Sequence, residues 1–342
     1  MLAVSVARQL VCGSGLLPGV TRIGARSTLR WYATKVDIKA LKRLRELNPV
    51  PISKAKEALL STDNDIDQAV AWLEKDAIRS GAKKAEKIKN RVASDGAIAV
   101  HVNDTLTAGA IIELGCETDF VARNATFVDL ATAIAQCGLE LAGRSTDHAA
   151  LTHIEPNELS SRTASGQKVA DTVTETIGRL GENIVLRRAA TMGSPEALDS
   201  IVVSGYVHGG VAGSHGALAG KIGGLVAIKS SVRSDEHRRT LRQLAGRLAQ
   251  QVVGYSPRFI TVDEWQAASA AGIDGIGEPE VTVLESQQFL FGGGTIAEVL
   301  AKVAKGVDAP VEVASFVRFE RGEGVEKPVR LDFAEEVRQQ LS

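Results

Sequence analysis

The sequence predicts an α+β protein, with a three-helix module at the N-terminus, a core of two related sheet-and-helix halves, and a closing C-terminal helix. Three observations carry this. Apolar residues recur at helical spacing over residues 36–81, a hairpin-then-helix pattern occurs once near residue 96 and again after residue 200, and the last fourteen residues are amphipathic. The 342 residues, 44% hydrophobic and 24% charged, suit about two soluble globular domains of ~150 residues each.

The first 33 residues are a different material. Arg8, Arg22, Arg26, Arg30 and Lys35 are the only charges among the first 36 residues, so a chain of net charge −1 leaves −6 for the remaining 306. Arginines spaced through Ser, Thr, Gly and Leu, without acids, match a mitochondrial transit peptide at 1–33, with a matrix-protease cleavage site near Ala33. Arg8 and the Gly13 to Gly15 region interrupt any run long enough for a secretory signal, and no later stretch reaches the ~18 apolar residues of a membrane span. The mature protein is expected in the mitochondrial matrix, with no membrane contact after import.

Residues 36–81 read as three short helices, carried by Ile38, Leu41 and Leu44, by Ala55, Ala58 and Leu59, and by Ile66, Val70 and Leu73. Asn48-Pro49-Val50-Pro51 stops the first, Ser53 is placed to cap the second, and Asp63-Asn64-Asp65 opens the third. Residues 82–95 follow as a basic linker or helix extension, with five positive side chains and one negative between 82 and 91. The first core half, 96–190, opens with a hairpin from Gly96 to Val102 and Leu106 to Leu114, turning at Asn103-Asp104. Cys116 to Phe120 then connects tightly to a helix bearing Phe127, Leu130 and Ile134. Residues 143–165 read as irregular, Val169 to Leu180 as helix and Ile184 to Leu186 as a short strand. The second half, 191–328, repeats the order with strand Ile201 to Val207, a glycine-rich loop, strand Leu225 to Ile228 and a helix on Leu241, Leu244, Leu248 and Val252. A loop at 268–280, a strand from Val311 to Phe319 and a helix within 329–342 complete the chain.

Positive evidence for catalytic chemistry is lacking. Forty basic against forty-one acidic residues provide no overall field for a nucleic acid. Cys12, Cys116 and Cys137 form no C-x-x-C pair, so neither a disulfide framework nor a cysteine-rich zinc site is expected. Gly216 to Lys221 fails the P-loop spacing and Gly292 to Gly294 fails the dinucleotide fingerprint. His208 and His215 match no helix-based metal motif. No cofactor, metal or enzyme activity is predicted. The segment that stands out is Cys116 to Asn124. Thr118 or Asp119 can cap the following helix with Phe120 stapled beneath it; alternatively, a carboxylate and an aromatic on a protruding turn can act as a wedge in another protein.

Four segments then carry a resemblance: ETDFVARN (Glu117 to Asn124), LGENIVLRR (Leu180 to Arg188), GYVHG (Gly205 to Gly209) and FVRFERGEGVEK (Phe316 to Lys327). Together they resemble the elongation factor Ts family over residues 37–342, and the basic leader resembles that of its mitochondrial members. The resemblance implies a ubiquitin-associated-like N-terminal module and guanine-nucleotide exchange on mitochondrial elongation factor Tu, held as a heterodimer. It implies partner-binding roles for Thr118, Asp119, Phe120 and Val121, with Asp119 and Phe120 intruding near the partner's magnesium site. Leu180 and Gly181 would support that contact, His208 would approach the phosphate-binding loop, and Lys56 would lie on the module's contact face. The coiled-coil insert of many bacterial members has no room between Phe259 and Gln287. Two other classes remain: an adaptor whose helical module binds ubiquitin or another small partner through an exposed apolar patch, and an enzyme using His208 with an unrecognised acid.

Overall fold

Why the core buries so much of its strand residues follows from four stacked layers, helix, sheet, sheet, helix, seen in a computed structural model. It describes residues 36–326 apart from 49, 144–148, 165, 199, 214–215 and 233. The proposed leader, His215 and the proposed C-terminal helix lie outside the described residues. The chain divides into two units, one ending at Val70 and the other beginning at Ala71.

In the first unit, α1 (Ile38–Leu47) is capped by Asp37, whose Oδ1 accepts the Lys39 amide at 2.9 Å. Helix α2 (Ile52–Ser61) begins after Pro51 without a side-chain cap, so the predicted Ser53 cap is not formed. The fixed φ of Pro51 already aims the chain into the first turn, which removes the need for one. Leu44, Ala55, Ala58 and Leu59 form the buried stripe. Asp63 and Asn64, both at positive φ, reverse the chain into α3 (Ile66–Ile88). That helix continues past Ala71 as part of the second unit and runs through the first half of the stretch read as a basic linker, to Ile88, which is buried in that unit's core.

In the second unit, β1 (Asp95–Val102) and β2 (Ala108–Cys116) form the predicted antiparallel hairpin. Strands β3 (Leu151–Ile154), β6 (Val185–Gly193), β8 (Val211–Ala212) and β9 (Leu218–Gly220) extend it to a six-stranded sheet in the order β3-β6-β2-β1-β9-β8. One face is covered by α5 (Ala125–Leu139), α6 (Pro156–Ser160) and α7 (Val169–Leu180), where Ala99, Ile112 and Leu114 meet Phe127, Ile134 and Ile177. A small hairpin, β4 (Thr163–Ala164) and β5 (Gln167–Lys168), precedes α7. The other face, with Ile98, Val100, Ile111 and Met192, packs on Val203, Leu225 and Val317 of a second sheet. That sheet is β7 (Ile201–His208), β10 (Ile222–Lys229) and β11 (Glu312–Glu320), with β10 central. Its far face, through Val202, Val226 and Ile228, is covered by α8 (Asp235–Tyr255) and α11 (Ile296–Val307). Between those helices run α9 (Val262–Ala270) and α10 (Pro279–Thr282), joined across the loop expected there. Side chains alternate between the two faces of each strand, and both faces are covered, so β2 is buried throughout.

Three sequence expectations are corrected. Residues 143–165 are not all irregular, since β3 lies along the sheet edge and is too short and half-exposed to announce itself by hydrophobicity. The strand predicted at Ile184 to Leu186 continues to Gly193, because the Arg187-Arg188 pair that breaks its apolar run converges on the buried Glu113 carboxylate. The glycine-rich loop adds strand β9 to the first half's sheet, pairing Ile98 with Gly220. Only glycine fits at 220: a Cβ there would lie 2.6 Å from Val207 and 2.8 Å from the His208 carbonyl oxygen.

Candidate functional site

Strand β2 ends at Cys116, and the chain turns through Glu117 and Thr118 into a single helical turn, α4 (Asp119–Ala122). Thr118 caps that turn, its hydroxyl accepting the Val121 amide at 3.4 Å. Asn124 separately caps α5, its Oδ1 accepting the Thr126 amide at 2.9 Å. Two caps six positions apart isolate α4 as a knuckle between strand and helix.

A reciprocal brace holds the knuckle to the end of α7. Glu182 accepts the amides of Glu117 (3.2 Å) and Thr118 (3.0 Å) and the Thr118 hydroxyl (2.5 Å). Glu117 returns the contact by accepting the Asn183 amide at 2.7 Å. The Asn183 side chain then donates to the carbonyls of Lys89 (3.2 Å) and Arg91 (2.8 Å), fixing the segment after α3 against the same turn. Charged acceptors on backbone amides are among the stronger hydrogen bonds, and the three here, with the Thr118 hydroxyl bond and the two from the Asn183 side chain, leave the knuckle little freedom. Beneath it, the Cys116 thiol donates to the Thr118 carbonyl at 3.2 Å, and burial, reinforced by Glu182 and Asp95, pushes that thiol up to about 12. Such a thiol stays protonated and serves as packing. The sequence reading did not single out Glu182 as a site residue, although it stands within LGENIVLRR; an acid directly after a helix-ending glycine was the available signal.

The brace brings six of the predicted residues, Thr118, Asp119, Phe120, Val121, Leu180 and Gly181, to one corner. Phe120 is 83% exposed, the most exposed large apolar side chain described. It therefore does not staple a helix: α4 is too short to fold back over it, and Val121 and Ala122 take the inward positions. Asp119 pairs with Arg123 at 2.7 Å across one turn. Leu180 packs on the core from the end of α7, and Gly181 ends that helix at φ +82. A Cβ at 181 would meet the Lys84 Nζ at 2.9 Å, and that ammonium donates to the Gly178 carbonyl at 3.3 Å.

Beside Phe120 opens a groove of about 1050 Å³, lined in part by Arg91, Asp119, Phe120, Lys221 and Arg321. His208 is exposed at the end of β7, and its carbonyl accepts the Lys221 amide at 3.1 Å, so it borders the rim. Lys56 belongs to the other unit, exposed on α2 between Ile52 and Leu60 at i, i+4 and i+8, which are 49% and 48% exposed. No cluster of His, Cys, Asp and Glu suited to a metal ion occurs among the described residues, and no helix among them is long and apolar enough to cross a membrane. What the corner offers is a rigid, apolar protrusion flanked by a carboxylate, next to a charged recess.

Residues 117–272 match the family model described as Elongation factor TS. Elongation factor Ts of Rhodospirillum rubrum is 35% identical over 326 residues, covering 88% of this chain and 97% of that protein. Elongation factor Ts of Clostridium botulinum strain Eklund 17B is 31% identical over 331 residues, covering 90% and 99%. The protein of Nematostella vectensis named Elongation factor Ts, mitochondrial, is 33% identical over 306 residues, covering 84% and 99%.

Proposed function

The chain belongs to the elongation factor Ts family of translation elongation factors, and from that premise we propose that it is a guanine-nucleotide exchange factor for mitochondrial elongation factor Tu. The observation that carries the reading is the isolated, braced knuckle with Phe120 almost fully exposed at its tip. A rigidly braced, exposed Phe is suited to enter a partner's apolar pocket. The basic, acid-free first 33 residues and the mitochondrial relative support import into the matrix as the route to that partner.

The exchange is differential binding. GDP on the partner is held by phosphate contacts and a Mg²⁺ bridging oxygens. Phe120 enters beside the switch region and displaces side chains there, while Asp119 places a carboxylate near the ion and competes with its ligands. Leu180 and Gly181, fixed to the knuckle through Glu182, keep the wedge from yielding. His208 approaches the phosphate-binding loop from the rim, and Ile52, Lys56 and Leu60 form the N-terminal module's contact face. Each 1.4 kcal/mol removed from the barrier speeds GDP release ~10-fold. Linkage requires that GDP weaken this protein's binding by the same factor by which the protein weakens GDP's. No covalent step occurs, and nucleotide excess in the compartment gives the direction. The proposed boundaries are 1–33 for the leader, 36–81 for the module, 82–95 for the connecting basic segment, 96–190 and 191–328 for the core halves, and 329–342 for a C-terminal helix.

The test is release of labelled GDP from mitochondrial elongation factor Tu, with and without residues 33–342 of this chain. Acceleration that the Asp119→Ala/Phe120→Ala variant loses supports both the exchange function and the site. No acceleration with active partner refutes the function and leaves the apolar stripe on α2 as an adaptor surface.

A further inference from the structure

The groove beside Phe120 is charged in a particular way. Its acids are already engaged: Asp95 with Arg321 at 2.5 Å, Glu117 with Arg91 at 3.6 Å, and Asp119 with Arg123 at 2.7 Å. Its fourth cation, Lys221, is exposed and makes no ion pair among the described residues. The groove wall thus carries one positive charge beyond those its own acids neutralise.

The backbone of Lys221 is held on both sides, donating to the His208 carbonyl at 3.1 Å and accepting the Arg321 amide at 3.0 Å. It is the last residue before β10, so the central strand of the second sheet anchors it. Its stem runs past Gly209, where an added Cβ would stand 3.8 Å from Cδ and 3.9 Å from Cγ. The backbone of Lys221 is therefore fixed, and its exposed side chain lines the recess beside Phe120.

We propose that Lys221 and the groove floor receive a carboxylate-bearing segment of the partner protein as Phe120 inserts, so that Lys221 is a docking cation for an Asp or Glu side chain. This rests on the exchange reading above, which supplies the partner. The charge excess fits an acid, the volume admits a short chain segment, and the recess is continuous with the protrusion, so one docking movement fills both. A rim cation of this kind acts chiefly on encounter and register, and its effect fades with salt.

The test measures binding of mitochondrial elongation factor Tu, nucleotide-free and GDP-bound, by stopped flow at low and high ionic strength, using Lys221→Ala, Lys221→Glu and Phe120→Ala chains of unchanged melting temperature. The expected result is slower association at low salt, several-fold for Lys221→Ala and about 10-fold or more for Lys221→Glu. Both should converge on wild type near 1 M salt, where the screening length is about 3 Å. Phe120→Ala should instead lose affinity at every salt concentration. A single Asp→Lys or Glu→Lys change in the partner should restore Lys221→Glu. Normal association of both Lys221 variants, with Phe120→Ala impaired, overturns the proposal and leaves the exchange reading standing. An effect seen only when GDP is bound assigns the anion to the nucleotide phosphates and also overturns it. Failure of the wild-type chain to bind overturns both readings.

Discussion

Removing the Glu113 carboxylate should destabilise the core more than any other single polar change. Glu113 lies on β2, fully buried, between Ile112 and Leu114. Opposite it the β2–β6 register slips, so that Glu113 faces Arg188 while Leu114 faces Leu186, and Arg187 is the extra residue of a bulge. Both arginines therefore reach one carboxylate: Arg187 Nη1 donates to Oε1, and Arg188 Nε to Oε2 at 2.6 Å. Oε1 also accepts the Gly322 amide at 2.8 Å. Arg188 continues to the Glu320 carbonyl (3.0 Å) and the Glu323 carboxylate (2.8 Å), and stacks 4.2 Å from the Phe319 ring centre. One side chain thus ties the first sheet to the turn after β11. Glu113→Ala takes the shared buried acceptor from the Gly322 amide and from two guanidiniums that are 22% and 32% exposed, leaving Arg188 only the exposed Glu323 as an anion, a loss of about 3–5 kcal/mol for a broken buried pair. At about 2–4 °C per kcal/mol, the melting temperature should fall by about 6–20 °C. Glu113→Gln, which keeps an acceptor for Gly322 but loses the charge, should incur most of that loss. Differential scanning calorimetry decides, and a change under about 1 kcal/mol for both variants would refute the claim that this charge holds the sheets together.

Phe120→Ala should leave the unfolding midpoint in urea within about 0.5 kcal/mol of wild type, because the ring is 83% exposed. Thr118→Val removes the cap on α4 and the hydroxyl bond to Glu182, and should cost about 1–3 kcal/mol by the same measurement. The Cys116 thiol stands near 12 in the folded chain against 9.0 ordinarily, mainly through burial. Above pH 9 the unfolded chain releases a proton that the folded chain keeps, so stability falls as pH rises from 9 towards 12. A Cys116→Ala chain should show a shallower decline between pH 8 and pH 10 in urea titrations.

Periodicity made α1, α2, α3, α5, α7, α8 and the first hairpin legible. Helix α7 coincides with Val169 to Leu180 because Gly181 can adopt the left-handed conformation that ends it. Elements whose evidence is non-local were not legible. The strand character of β9 comes from β1 across the chain, and β6 reads as polar until Glu113 is placed opposite its arginines. The site divides in the same way. Asp119 and Phe120 were readable as a motif, but local capping logic favoured a buried Phe120. Only the separation of two caps, and the brace from Glu182 some sixty residues downstream, shows why the ring points outward. An acid between two apolar strand residues, followed later by adjacent arginines, was the signal for the Glu113 cluster.

The central claim is that an exposed ring on a rigid knuckle is what drives nucleotide release. It is tested most directly by the rate of labelled GDP release from mitochondrial elongation factor Tu at saturating concentrations of wild-type, Asp119→Ala and Phe120→Ala chains. Saturation separates the wedge from affinity. The prediction is strong acceleration by wild type, partial loss for Asp119→Ala and the larger loss for Phe120→Ala, with all three chains equally stable. Full acceleration by the Phe120→Ala chain would contradict the account.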